Sequence, residues 1–380
     1  MKRKKICVVV HSRANYGRSK SILKAIEEHP KLELQLIVGA SALLWRFGEA
    51  IKVIKKDGFR PIETIHMMLE GETPLNMAKS TGLGIIELSS VFDRIKPDFV
   101  LTVADRYETM STAIAASYMN IPLVHTQGGE VTGSIDESVR HAITKLSHLH
   151  FPATEQSKKR IIKMGENPEY VFNTGCPSID LISNKSLGLE NFSNQSKGLG
   201  NLNLDEKYIL VLQHPVTSEY GDGSKQIKET INAIHELKIQ TIWLWPNIDA
   251  GTDDFSKALR IYREQKKPNF VNLYRNFSPE DYAILLKNSA CTVGNSSSFI
   301  REGCFLGVPS VIIGSRQNKR ESGKNVVRVN YSKEEIISAI KKQLFKKFPQ
   351  DKRFGSGDAG KKMANILSKI EINTQKILNY

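Results

Sequence analysis

The sequence predicts an α/β protein of two doubly wound, Rossmann-like domains facing a cleft, on three observations. Short β-branched apolar runs alternate with amphipathic stretches, the pattern of a parallel sheet covered by helices on both faces. At 380 residues the chain exceeds the size at which one core usually stops growing. Residues 183–204, rich in Asn, Ser, Gly and Lys, interrupt the alternation and read as a surface connection between two series of similar length.

In the first series Ile6 to Val10, Leu32 to Val38, Phe99 to Val103, Ile121 to His125 and Val171 to Thr174 read as buried strands. Helical patterns run over Lys20 to Glu28, Ile85 to Ile95 and Glu137 to Leu149. The second series has strands at Tyr208 to Leu212, Thr241 to Leu244, Phe270 to Leu273, Cys291 to Val293 and Ser310 to Ile313. Its helices are Ile227 to Leu237, Phe255 to Arg263, Tyr282 to Leu286 and Phe299 to Phe305. The expected domains are 1–182 and 205–356, with the carboxyl ends of both sheets turned to a shared cleft.

Composition narrows the function. Hydrophobic residues at 40% and charged residues at 25% argue against disorder over most of the length. The basic start, Met1 to Lys5, leads into an apolar run of only Ile6 to Val10, too short for an export signal or a membrane span. A cytoplasmic protein without membrane attachment is expected. Cys7, Cys176, Cys291 and Cys304 are scattered, without zinc spacing, and read as reduced thiols, so neither a disulfide nor a metal is implied. The formal charge of +14 suits nucleic acid, an acidic membrane or an anionic small substrate. Its lysines are spread over amphipathic segments and form no basic stripe, which argues against nucleic acid and leaves a few arginines for an anion.

Polar motifs cluster where strands should end. His11 to Arg18 follows the first strand without a Gly-x-Gly-x-x-Gly, so no NAD is indicated, while Arg13 and Arg18 are suited to a pyrophosphate. Two surface arginines in a polar turn explain that segment equally well. Asp105-Arg106 ends the next strand, and Gln127-Gly128-Gly129-Glu130 the one after. The following helix opens with Asp136 and Glu137, and its i,i+4 pairs, Asp136 with Arg140 and Glu137 with His141, need no function to exist. In the second series Gln213-His214-Pro215 and Trp245 to Gly251 follow successive strands. Gly294 to Ser298 runs into a helix carrying Arg301 and Glu302, with Arg316 beyond. A hydroxyl-rich turn at a helix N-terminus favours phosphate, although an ordinary Ser N-cap looks the same in sequence.

Taken together, Arg13-Ala14-Asn15-Tyr16, Asp105-Arg106, Gly128-Gly129-Glu130, Ser134 to Leu146, Gln213 to Thr217, Pro246 to Gly251 and Gly294 to Ser297 resemble the hydrolysing UDP-N-acetylglucosamine 2-epimerases, in the same order over roughly residues 5–345. The family includes the epimerase half of the animal bifunctional sialic-acid enzyme. The resemblance implies a GT-B architecture and a final helix, near Lys361 to Lys369 within 357–380, returning to the first domain. It implies UDP held by Arg13, Ala14 and Arg106 on one side and by Asn247, Ser296, Ser297, Arg301, Glu302 and Arg316 on the other. Catalytic groups would come from Asp105, Glu130, Asp136 and Arg140, with His214 beside the leaving phosphate.

The implied reaction converts UDP-N-acetylglucosamine and water into N-acetylmannosamine and UDP for nonulosonic (sialic-type) acid synthesis, without NAD, and a homo-oligomer is expected. Divalent-metal stimulation stays open. Asn15, Ala104 and Gln127 depart from the family pattern. Gln127 matters most, since an amide is no general base, which turns the expectation for proton transfer to Glu130 and Asp136. Four alternatives remain open: the same reaction on a UDP-6-deoxy-4-acetamido sugar of a legionaminic-type pathway, a non-hydrolysing epimerase returning UDP-N-acetylmannosamine, a GT-B glycosyltransferase, and a nucleotide-sugar-binding regulator with a dead site.

Overall fold

The computed structural model describes residues 3–183, 186–193, 198–199, 202–247 and 249–379. Positions 184–185, 194–197 and 200–201 of the expected connection, together with Ile248, lie outside the described residues.

The first unit contains β1 (Lys4–Val10), α1 (Arg13–Glu27), β2 (Leu32–Gly39), α2 (Ala50–Lys56), β3 (Glu63–Ile65), α3 (Pro74–Ile95), β4 (Phe99–Val103), α4 (Tyr107–Tyr118), β5 (Leu123–Thr126), α5 (Asp136–Leu146), β6 (Leu149–Phe151), α6 (Glu155–Lys163) and α7 (Pro177–Ser183). Its six strands are parallel, in the order β3-β2-β1-β4-β5-β6. Both faces of β1 are covered, which is why its sequence is apolar throughout and does not alternate. Ile6, Val8 and Val10 pack with Tyr16, Ile22 and Ile26 of α1, while Cys7 and Val9 pack with Leu88 and Phe92 of α3 and Ala113 of α4.

The second unit contains β7 (Gly198–Leu199), β8 (Ile209–Leu212), α8 (Gly223–Leu237), β9 (Thr241–Leu244), α9 (Thr252–Lys266), β10 (Val271–Tyr274), α10 (Pro279–Asn288), β11 (Cys291–Gly294), α11 (Ser298–Leu306), β12 (Ser310–Ile313), β13 (Val326–Val329) and α12 (Lys333–Gln343). The sheet order is β13-β12-β11-β8-β9-β10-β7, parallel except for β7, which runs antiparallel to β10. In both sheets the strand order reverses beside the first long strand, at β1/β4 and at β8/β11. Such a switch point opens a crevice at the carboxyl ends of the strands.

After α12 the chain returns to the first unit as α13 (Ala359–Lys369), whose Met363, Ala364 and Leu367 enter the core beneath α1. The carboxylate of Asp180 in α7 accepts the backbone N–H groups of Ala359 and Gly360 at 3.0 and 2.8 Å, capping the start of α13. Gly360 is required there, since a Cβ would lie 2.7 Å from the Ser21 backbone.

Several expected elements change. Val171 to Thr174 is no strand: Val171 makes only an isolated bridge to His150, and the sixth strand is β6. The pattern reaching Leu149 ran two elements together, because Leu146 and Leu149 keep helical spacing although Ser147 ends α5. α1 begins at Arg13, with the Ser12 hydroxyl accepting the Asn15 N–H at 3.2 Å, so His11 to Arg18 is mostly the first turns of a helix. The described part of the connection is partly packed: Leu187 is buried, and Ser193 binds the Asp281 carboxylate through N–H and hydroxyl at 2.9 and 2.6 Å.

Candidate active site

Each switch point delivers two loops to the crevice between the units. On the first side these are the start of α1 and the turn between β4 and α4. Arg13, at the head of α1, reaches across to donate to the Arg275 carbonyl at 2.5 Å and to Asn247 Oδ1 at 3.4 Å. Arg18, one turn on, donates to the Ser297 hydroxyl at 2.8 Å. Burial, and then the charge of Arg301, hold the Arg18 guanidinium down at about 10.

Asp105 and Arg106 follow Ala104, which adopts a left-handed φ of 66°. Arg106 binds Glu108 at 3.0 Å and, across the crevice, Asp249 at 2.7 Å. Burial alone would lower its pKa, but the carboxylates of Asp249 and Glu108 outweigh it and raise it well above normal. Asp105 pairs with Arg140 of α5, a wholly buried guanidinium that also donates to the Glu130 carbonyl at 2.9 Å and to Glu137 at 3.1 Å. The expected Asp136–Arg140 pair on an exposed face does not form. Asp136 turns instead to Arg316 of the other unit, at 3.7 Å, and burial raises its pKa.

Glu130 is the most constrained acid. Arg301 donates to its two oxygens at 3.2 and 2.8 Å, and Arg320 binds it at 2.8 Å. Burial would raise its pKa, but Arg301 and Arg320 prevail and hold it at about 2. Glu130, expected to take part in proton transfer, thus bridges the two units through Arg301 and Arg320 as placed. Gly129 in the same loop has φ +73°, and a Cβ there would lie 2.4 Å from the Ser157 carbonyl. Gln127 is buried, with its amide donating to Cys176 Sγ at 3.3 Å.

From the second unit His214 follows β8. Its Nδ1 accepts the Asn247 backbone N–H at 3.0 Å, which assigns the proton of the neutral ring to Nε2 and makes that atom a donor. Burial, and then Arg316, Arg13, Arg106 and Arg18, push its pKa well below the usual imidazole value. At the start of α11, Ser297 does not cap the helix with its side chain; its hydroxyl accepts from Arg18 and from Arg301 at 3.0 Å. The simple N-cap reading of this motif is therefore set aside. Ser296 and Ser298 hydroxyls lie 2.9 Å apart, and Glu302, its pKa raised by burial, has Oε2 buried without a partner among the described residues.

These groups surround a cavity whose apolar wall includes Leu212, Leu244, Phe277 and Leu286. Of the expected site residues, Arg13, Ala14, Asp105, Arg106, His214, Asn247, Ser296, Ser297, Glu302 and Arg316 line it. Glu130, Asp136, Arg140 and Arg301 stand outside that lining, in the ionic network around it. Arg320, Glu108 and Asp249 were not singled out. Asp249 lay inside a noted motif, whereas Arg320, in a polar stretch after β12, gave no signal.

The arrangement can hold a diphosphate with cations, hydroxyls and a neutral imidazole donor, present an apolar wall to a base, and bring acids to the far end. A profile described as UDP-N-acetylglucosamine 2-epimerase matches residues 24–368. The chain is 34% identical over 377 residues to the UDP-N,N'-diacetylbacillosamine 2-epimerase (hydrolyzing) of Legionella pneumophila, covering 99% of this chain and 98% of that protein. It is 31% identical over 356 residues to the UDP-N-acetylglucosamine 2-epimerase of Neisseria meningitidis, covering 93% and 92%. A crystal structure of UDP-GlcNAc 2-epimerase from Neisseria meningitidis, bound to UDP-GlcNAc, superimposes with a TM-score of 0.80 at 20% identity over 96% of this chain and all of that one, which supports the two-domain fold. By profile and by near full-length identity above 30%, the chain belongs to the UDP-N-acetylglucosamine 2-epimerase family.

Proposed function

We propose that the chain is a hydrolysing 2-epimerase of a UDP-2-acetamido sugar, the parent reaction being UDP-N-acetylglucosamine and water to N-acetylmannosamine and UDP, a supply step for nonulosonic acids. The observation that carries this reading is Asp136 of the first unit lying 3.7 Å from Arg316 of the second, a base for carbon 2 beside a cation for the leaving phosphate. Arg13, Arg316, Ser296 and Ser297, with the N–H of Ala14 at the head of α1, hold the diphosphate. Arg18 and Arg301 fix the Ser297 hydroxyl. Glu302, with its unpartnered oxygen, accepts ribose hydroxyls.

In the first step Asp136 takes the proton from carbon 2, the C–H electron pair forms the C1–C2 double bond, and the C1–O bond to the β-phosphate breaks. The raised pKa of Asp136 makes it a stronger base than an ordinary carboxylate. Arg316 and the Nε2–H of His214 take up charge as UDP leaves. In the second step Asp105, oriented by Arg140 and protonated from solvent, gives its proton to carbon 2 from the opposite face while water adds its hydroxide to carbon 1, the water's other proton restoring Asp105 and the proton taken by Asp136 passing to solvent. Glu130 and Arg106 position these groups. Neither step moves a hydride, so the proposed route calls for no nicotinamide.

We place the enzyme in the cytoplasm as a homo-oligomer of domains 1–182 and 205–356. Exposed Ile86 on α3 and Tyr118 at the end of α4 support association. Incubation with UDP-N-acetylglucosamine and no acceptor tests the reaction: release of UDP with free N-acetylmannosamine is expected. Release that depends on an added acceptor indicates a glycosyltransferase, and UDP-N-acetylmannosamine as product a non-hydrolysing enzyme.

A further inference from the structure

His125 of β5 is fully buried, and the two nitrogens of its ring meet the two segments that carry Asp105 and its partner Arg140. Nε2 lies 2.7 Å from the carbonyl of Ala104, in the turn that delivers Asp105 and Arg106. Nδ1 lies 3.2 Å from the Thr144 hydroxyl of α5, which itself lies 3.0 Å from the Arg140 carbonyl one turn earlier. A carbonyl can only accept, so Nε2 carries the proton of the neutral ring and Nδ1 accepts from Thr144. The one Thr144 proton is then shared between Nδ1 and the Arg140 carbonyl. Burial holds the pKa of the ring at about 3, so the ring stays neutral around pH 7 and this arrangement persists.

The turn after β4 needs such a hold. Ala104 has φ 66°, a left-handed conformation that its Cβ disfavours. Its N–H donates to the Thr126 carbonyl at 3.1 Å and its carbonyl accepts from His125, so β5 grips both backbone polar groups of the strained residue. The ring is also closely packed, since a Cβ at Gly128 would lie 2.8 Å from Nδ1 and 2.9 Å from the Thr144 hydroxyl. Past the turn, Asp105 meets the wholly buried guanidinium of Arg140.

We propose that His125 is a positioning residue, which ties the Ala104 turn to α5 through Thr144 and so sets the geometry in which Arg140 orients Asp105. This rests on the reaction proposed above, in which Asp105 returns a proton to carbon 2. His125 is not among the residues lining the nucleotide cavity, so its removal acts on the chemical step and leaves UDP binding in place.

The test measures kcat and KM by UDP release from UDP-N-acetylglucosamine, and UDP affinity by calorimetry, in three variants. His125→Leu fills the space without a donor and should lower kcat on the order of 10–100-fold, with KM and UDP affinity within about 2-fold of wild type. His125→Gln offers an amide N–H to the Ala104 carbonyl and should restore kcat to within about 5-fold of wild type. Thr144→Val keeps the shape, removes the hydroxyl, and should lower kcat by about 5-fold or more. A histidine that only fills the core would lower the unfolding midpoint of His125→Leu and leave the kcat of the folded enzyme unchanged. That result, or equal kcat in the Leu and Gln variants, overturns the inference. If His125→Leu does not fold, Thr144→Val decides, and full kcat there overturns the inference as well. Asp105→Asn, assayed alongside, separates this inference from the reaction. Full turnover in Asp105→Asn overturns both, whereas loss in Asp105→Asn with full kcat in His125→Leu overturns the positioning role alone.

Discussion

The site separates acids by environment. Asp136 is half-buried with one arginine at 3.7 Å and its pKa is raised, whereas Glu130 carries two arginines and is held at about 2. Asp136→Asn and Asp105→Asn should each lower turnover by on the order of 100-fold or more with UDP affinity near normal. Ser297→Ala should do the reverse, weakening UDP by about 1–3 kcal/mol in calorimetry, since its hydroxyl is bound to two guanidinium groups. Full turnover in either Asp variant removes that residue from the mechanism. Glu130 has a different readout. Its folded pKa lies below the ordinary carboxylate value, so its contribution is present above about pH 4.5 and is lost as pH falls toward 2. Urea midpoints measured between pH 6 and 3 should fall with acid, and Glu130→Gln, costing on the order of 3–5 kcal/mol near pH 6, should flatten that fall, its cost shrinking as pH drops. Which residues gather was legible in sequence, but which arginine each acid takes was not. Asp136 and Arg140 share a helix face on paper, yet in the fold each finds its partner on a distant strand end or in the other unit.

The elements that sequence located best are the strands buried on both faces, because β1 and β8 are apolar runs bounded by polar turns. α4 was missed, since it packs small residues, Ala113, Ala115 and Ala116, and has no strong apolar stripe. β6 was absorbed into a helical pattern by the spacing of Leu146 and Leu149. The resemblance implied that residues 357–380 return to the first domain, but not the contacts made beyond α13. Lys376 donates to the carbonyls of Thr144, Lys145 and Ser147 at 3.4, 2.6 and 2.5 Å, and pairs with Glu166 at 2.6 Å. A cation there satisfies orphan carbonyls and the negative end of α5, the helix that carries Asp136 and Arg140. Lys376→Met should lower stability by about 1–3 kcal/mol and speed hydrogen exchange in the last turn of α5, leaving exchange in the second unit unchanged. Unaltered exchange in α5 would mean that the tail does not hold it.

At the scale of the molecule, the two units meet through charge. Arg106 with Asp249, Arg301 and Arg320 with Glu130, and Lys20 with Glu280 all cross the crevice. The excess of arginine at this boundary explains how a basic chain can take an anionic substrate without a basic stripe on its surface. Two domains and a cleft were legible because strand and helix patterns repeat on either side of 183–204. The pairing of the two sets of loops was not, because it depends on how the sheets face one another. The proposed reaction removes a carbon 2 proton with one unit while UDP departs into the other. NMR of UDP-N-acetylglucosamine turned over in deuterated water without acceptor tests it most directly. UDP and a free sugar inverted at carbon 2 that carries one deuterium there are expected. A released sugar with its original configuration and proton at carbon 2 would contradict it.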